Sequence, residues 1–278
     1  MKYVLEAKHI TKKIRKNIIL DDVSFNLEKG KIYGLVGANG SGKSTLLKII
    51  MNLCKYNGDI IINGMNIRCH YKEVMKNIGG IVDYVSFYDY LTAEENLRYF
   101  ALLYDVSIER VYEVLKIVNL PIEKKLVKYF SLGMKQRLGI AISLLKDPDI
   151  LILDEPTNGL DPKGIKDLRE LLLSFNKTII VSSHLISEIE KISDEVLFIN
   201  NKKIINHKIE SSNKIKFSIV KDNKPTEVIY SVTDNNEVYT IIKKLIKRNV
   251  PVYRVEEENE ELESILISLM EANNDKFN

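Results

Sequence analysis

The chain has 278 residues, 45% of them hydrophobic, and a formal net charge of +3. That is enough apolar material for one substantial core and a smaller second domain, and the near balance of charge gives no reason to expect nucleic acid or a membrane surface as a direct partner. Two cysteines, Cys54 and Cys69, with no C-x-x-C spacing, exclude a disulfide framework and fit a reducing cytosol.

No apolar run approaches the roughly 18 residues of a spanning helix. The opening residues, MKYVLE, lack the apolar core of a secretion signal. The expectation is a cytosolic protein that meets a membrane only through a partner.

In chain order, residues 1 to 60 look β-rich. Residues 23–27 alternate as a half-buried strand does, and residues 31–36 read as a fully buried strand. Next comes Gly37-Ala38-Asn39-Gly40-Ser41-Gly42-Lys43-Ser44-Thr45, then an apolar helical pattern over 45–51. The stretch fits G-x-x-x-x-G-K-[ST], the phosphate-binding loop of nucleoside triphosphatases. Glycines let backbone N–H groups converge on phosphates, and the helix N-terminus adds partial positive charge. Lys43 adds a full charge near the β- and γ-phosphates, and Ser44 offers a hydroxyl to magnesium. Gly37, Asn39, Gly40, Ser41, Gly42, Lys43, Ser44 and Thr45 are the candidate nucleotide-binding residues.

Residues 58–62, the Asn63-Gly64 pair and residues 65–67 read as a hairpin. Residues from about 88 to 146 are mostly helical. Thr92 and Glu95 form a capping box opening a helix that carries Leu97, Phe100, Ala101 and Tyr104. A second helix spans 108–118 and stops at Pro121. Strands return at 150–153, 178–182 and 195–199. The first of these ends in Asp154-Glu155, at the edge where parallel sheets bind ligands. Asp154 is the candidate to hold magnesium, directly or through water, and Glu155 the candidate to polarise an attacking water. Two carboxylates capping a loop before Pro156 is the plainer alternative.

Composition shifts near residue 210, where Ser211-Ser212-Asn213 reads as a joint. Strands over 215–220 and 228–232, a helix over 237–248, a strand over 252–255 and a helix over 262–270 make residues 211–278 a small α/β extension. Glu256-Glu257-Glu258 and Glu260-Glu261 read as a solvated, dipole-favoured start to the last helix.

Phe130-Ser131-Leu132-Gly133-Met134-Lys135-Gln136-Arg137 precedes Asp154 by the length of one helix. Here the chain resembles the ATP-binding-cassette family of transporter ATPases and its LSGGQ signature. Residues 154–161 resemble the family's second carboxylate motif and D-loop, and Val181-Ser182-Ser183-His184 its switch histidine. The resemblance covers about residues 1–210. It implies an α/β phosphate-loop cassette with a RecA-like core, an antiparallel β subdomain and a helical subdomain at about 88–146. It also implies a head-to-tail homodimer or cassette heterodimer with two ATP molecules between the cassettes. The phosphate loop of one cassette would face Ser131 and Gly133 of the other, His184 would contact the γ-phosphate or the attacking water, and Asp161 would lie in the dimer's D-loop. ATP and magnesium are the implied cofactors.

Three positions depart from the family pattern. Leu132 replaces the signature's first glycine. Asp83 stands where most members carry the Q-loop glutamine, and would reach the metal directly or through water; a solvated loop residue is the alternative. Ile14 stands where an aromatic usually stacks on adenine, so base selectivity is expected to be loose and GTP deserves testing.

Asp83, residues 131–138, 157–162 and 182–189, and the extension ending near 262–266 resemble the branch serving bacitracin and lantibiotic export or self-protection. That branch implies a separate multi-spanning membrane subunit, export of a peptide antibiotic or similar amphipathic compound, and a cytoplasmic location on the inner face of the cell membrane. Tyr84, Val85, Phe87, Tyr88, Tyr90 and Leu91 would line the groove for the partner's coupling helix, or else form the helical subdomain's core. Three other readings stay open: a soluble cassette ATPase acting on ribosomes or DNA, a catalytically weak regulatory cassette, and an exporter of another drug, lipid or ion. The first of these normally shows two cassettes or a long coiled coil, and neither is visible.

Overall fold

A computed structural model describes residues 2–83, 86–209, 213–221, 224–232, 235–248 and 250–257. The chain divides into two compact units, residues 1–208 and 209–278.

In the first unit, β1 (Tyr3–Ile14) and β2 (Asn17–Glu28) form a long antiparallel hairpin. The alternation Val23, Phe25, Leu27 that marks residues 23–27 is the core-facing row of β2. Next come β3 (Ile32–Val36), α1 (Lys43–Ile50), β4 (Asn57–Ile62) and β5 (Met65–Asn66). The β4–β5 turn is the expected Asn63-Gly64 pair: both residues have positive φ, and Ile62 faces Met65 across it. That is the backbone a two-residue hairpin loop requires. One antiparallel sheet has the order β2-β1-β4-β5.

The chain continues with α2 (Tyr71–Lys76), β6 (Ile78–Ile81), β7 (Ile150–Leu153), α6 (Pro162–Leu173), β8 (Thr178–Ser182), α7 (Ile186–Glu190), β9 (Glu195–Asn200) and β10 (Lys203–Lys208), and a second sheet joins β3 to the strands β6–β10. Its order is β10-β9-β3-β8-β7-β6, parallel except for β10. Central strands buried on both faces read as continuous apolar runs, as β3, β7 and β8 do. Helix α1 contributes Leu46, Leu47, Ile49 and Ile50 to a core shared by both sheets, with Leu5, Leu20 and Leu27 on one side and Leu35, Ile152 and Ile180 on the other.

Between β6 and β7 lie α3 (Ala93–Tyr104), α4 (Ile108–Ile117) and α5 (Leu132–Leu144). The capping box forms in full. Glu95 N donates to Thr92 Oγ1 at 3.2 Å and Thr92 N donates to Glu95 Oε2 at 2.8 Å. Val111, Val114, Leu115 and Leu138 supply buried surface among these helices.

The second unit holds β11 (Asn213–Lys221), β12 (Lys224–Val232), α8 (Asn235–Lys247) and β13 (Val252–Glu257). Its sheet has the order β12-β11-β13, with Phe217 fully buried against Tyr230. One expectation changes: Glu256 and Glu257 belong to β13, paired with Lys216 and Ile215, and do not open a helix. The strand extends because β11 offers it a partner through those positions. Glu258, Glu260, Glu261, the expected helix over 262–270, and Ser211 and Ser212 lie outside the described residues. Among the described residues no helix is long and apolar enough to cross a membrane.

Candidate nucleotide site

The phosphate loop leaves buried β3 and turns into α1. Gly40 has φ +79° and Gly42, the N-cap of α1, has φ +111°, values that favour glycine over any residue with a Cβ. Gly37 allows a close approach, because a Cβ there would meet Ile199 O at 2.7 Å and Ser41 Oγ at 2.6 Å. Asn39 and Gly40 lie exposed at the tip, while Ser44 and Thr45 sit half-buried in the first turn of α1. Lys43 is buried, and its Nζ donates to Gly37 O at 2.8 Å and Ala38 O at 3.4 Å. An ammonium held by the loop's own carbonyls is poised to exchange them for phosphate oxygens. The buried hydroxyl of Ser41 has no hydrogen-bond partner. A buried polar atom left without a partner is costly, and a phosphate bound in the loop suits it.

The second half of the site comes from the next strands. β7 ends at Leu153, and Asp154 N continues the ladder by donating to Ile81 O at 2.9 Å. Fully buried Ser182, the last residue of β8, joins both carboxylate residues. Its hydroxyl donates to Asp154 Oδ1 at 2.6 Å and accepts from Glu155 N at 2.8 Å. Glu155 takes φ +48°, a left-handed conformation rare outside glycine that is stored mostly at functional sites. Its Oε2 lies 2.7 Å from His184 Nδ1 and accepts from His184 N at 3.3 Å, while its Oε1 lies 4.0 Å from Lys43 Nζ. Thus Lys43, Glu155 and His184 form one connected cluster, with Asp154 tied to it through Ser182. Sequence reasoning missed Ser182 in that role. The available signal was a hydroxyl closing an otherwise apolar strand.

Asp83 follows β6 with φ +65°, and its Oδ2 lies 2.7 Å from Lys48 Nζ. Ser44, Asp154 and Asp83 are oxygen donors, the ligand type magnesium takes. Among the described residues no group of three acidic, His or Cys side chains could by itself hold a metal. The donor set therefore fits an ion completed by phosphate oxygens and water, as magnesium usually is at triphosphate sites.

Ser131 and Gly133 stand elsewhere. Ser131 caps α5, its Oγ accepting from Met134 N at 3.3 Å. Ser131, Leu132, Gly133 and Gln136 line a cleft of about 470 Å³ with Gly159, Leu160 and Asp161. No phosphate-loop residue is among its lining residues. Asp161 caps α6 through Gly164 N at 2.9 Å. Leu132 packs on Gly159, where an added Cβ would come within 2.8 Å of Leu132 Cδ2. Ile14 is about half exposed.

Of the expected docking residues, Tyr84 and Val85 lie outside the described residues. Phe87, Tyr88 and Leu91 are half-buried and Tyr90 is exposed. Buried Asn96 brackets the backbone of Tyr88, accepting from its N–H at 2.9 Å and donating to its carbonyl at 3.1 Å. The Tyr88 ring meets Tyr99 edge to face at 4.8 Å.

A family model described as "ABC transporter" matches residues 20–158. The chain is 38% identical over 265 residues to the uncharacterized ABC transporter ATP-binding protein YhcH of Bacillus subtilis, covering 90% of this chain and 87% of the relative. It is 45% identical over 207 residues to the lantibiotic transport ATP-binding protein SrtF of Streptococcus pyogenes, covering 73% and 89%. It is also 45% identical over 212 residues to the bacitracin transport ATP-binding protein BcrA of Bacillus licheniformis, covering 74% and 69%. Among solved structures, the dimeric post-hydrolysis state of the ATP-binding cassette MJ0796, bound to ADP and Pi, superposes with a TM-score of 0.65 at 26% identity. That match covers 74% of this chain and 99% of the other.

Proposed function

Given that the chain belongs to the ABC transporter family as an ATP-binding, ATP-hydrolysing subunit, we propose that it drives export of a peptide antibiotic, or a similar amphipathic compound, through a separate multi-spanning membrane subunit. In this reading residues 1–210 are the nucleotide-binding domain, with the helical subdomain at about 88–146, and residues 211–278 are its C-terminal extension. The protein works at the inner face of the cell membrane, held there by its partner. Similarity to SrtF and BcrA, whose names record lantibiotic and bacitracin transport, supports the cargo class.

The carrying observation is Glu155, set between Lys43 and His184 at the end of β7. Lys43 exchanges the carbonyls of Gly37 and Ala38 for phosphate oxygens. Glu155 accepts the proton of the attacking water, and His184 orients the Glu155 carboxylate through Nδ1. Ser182 fixes the Asp154 carboxylate and the Glu155 backbone with one hydroxyl. Ser44 and Asp154, with Asp83 near, would hold magnesium, whose charge would polarise the phosphoryl oxygens when bound. Ser131 and Gly133 line a cleft that has no phosphate-loop residue. This favours a head-to-tail pair in which each ATP is completed by the other cassette. Anionic phosphates suit the N-terminus of α5, where backbone N–H groups point outward.

The test expresses Glu155→Gln in the native host, solubilises membranes with ATP and magnesium, and identifies what co-purifies. A multi-spanning subunit in stoichiometric yield is the expected result. Recovery only from the soluble fraction, alone or with ribosomes, overturns the export assignment in favour of a cassette ATPase not coupled to transport.

A further inference from the structure

Lys48 lies in the last turn of α1, the helix that opens with Lys43 and Ser44. Its Nζ is 2.7 Å from Asp83 Oδ2. Asp83 leaves the end of β6, and Asp154 leaves the end of the neighbouring parallel strand β7, with Ile81 and Leu153 in register just before them. The two carboxylate residues therefore emerge side by side from one sheet edge. The hydrogen bond to Asp83 raises the Lys48 ammonium above its ordinary range; burial opposes the shift, and the charges of Asp83 and Asp154 add to it. The cation that pairs with Asp83 thus stands on the helix that carries Ser44.

We propose that Lys48 is a positioning residue for the metal: it holds the Asp83 carboxylate and cancels its charge beside Asp154, and so sets how tightly the site takes a divalent cation. The inference rests on the reading that Ser44 and Asp154 hold the ion. Removing Lys48 alone leaves the Asp83 charge uncompensated beside Asp154, and a cation binds more tightly. Removing the charge of Asp83 alone leaves a free ammonium, and a cation binds less tightly. Removing both restores the balance. Purely structural damage has no reason to reverse its sign between the two partners of one contact. Both side chains are more than a third exposed, so neither change leaves a buried hole.

The experiment titrates Mn²⁺ into the full chain saturated with ATP in a Glu155→Gln background, reading bound metal by electron paramagnetic resonance. Lys48→Met is expected to tighten Mn²⁺ by roughly fivefold and Asp83→Asn to weaken it by about as much, the order of one partly screened charge. The double variant is expected to return to within about twofold of the parent, since the two opposite charge changes offset one another. Shifts of the same sign, or no shift in either single variant, overturn the proposal. Asp154→Asn is the control for the underlying reading. If it binds Mn²⁺ as tightly as the parent, the metal-site assignment falls and takes this inference with it. If it loses Mn²⁺ while the two single variants shift together, only the role of Lys48 falls.

Discussion

Glu155 touches two partners with its two oxygens: Oε2 lies 2.7 Å from His184 Nδ1 and Oε1 lies 4.0 Å from Lys43 Nζ. One carboxylate therefore links the phosphate loop to the end of β8, on a backbone held at φ +48°. Glu155→Gln keeps the shape and removes the proposed base. It is expected to lower kcat by about 10²–10⁴ while ATP still binds. His184→Ala is expected to cost less, because it removes an orienting contact and leaves the carboxylate. Single-turnover phosphate release and ATP filter binding measure both. Turnover in Glu155→Gln within about tenfold of the parent would move the base to another group.

Leu132 occupies the signature position where a glycine is usual, and its side chain packs on Gly159. The contact ties the capped start of α5, with Ser131 and Gly133, to the turn that leads into Asp161. Gly159 has φ +75°, so Gly159→Ala meets backbone strain and the Leu132 methyl together. A loss of about 1–3 kcal/mol in urea unfolding is expected. Adding Leu132→Ala removes the collision but not the backbone strain, so the double variant should recover part of that loss. Strictly additive losses would show that the two residues do not share a contact.

The phosphate loop, the capping box and the Asn63-Gly64 turn were legible because each is written in adjacent residues. So were β7 and β8, whose apolar runs end in functional groups. β6 was hidden by Gly79 and Gly80, poor strand formers on their own. They are required by crowding: a Cβ on Gly79 would collide with the Ser143 carbonyl, and one on Gly80 would lie 2.5 Å from Ile152 O. β10 was hidden because Lys203, Asn206, His207 and Lys208 make a polar edge strand, and edge strands tolerate such residues. The links Ser182 to Asp154 and Lys48 to Asp83 join positions 28 and 35 apart in the sequence. Strand order sets those meetings, and no local pattern announces them.

Asp147 offers a test of how the helices are fastened to the sheet. It lies just past α5, between α5 and β7, with φ +52°. Its Oδ1 accepts from Lys177 Nζ at 2.8 Å and from Arg110 of α4 at 3.2 Å. The Lys177 hydrogen bond holds its carboxyl below the ordinary aspartate range; burial opposes this, and the charges of Lys177 and Arg110 reinforce it. A carboxyl lowered on folding stabilises the protein fully above its unfolded pKa, and that share is lost as pH falls through the folded value. Asp147→Asn keeps a residue that tolerates left-handed backbone and removes only the charge. At neutral pH the variant should be less stable by about 0.5–1 kcal/mol, the size of a largely exposed ion pair. As pH falls through the lowered folded value the two proteins should converge, the parent losing stability more steeply with acid. Urea unfolding at a series of pH values measures the difference, and a gap that stays constant into acid would show that the charge of Asp147 contributes nothing.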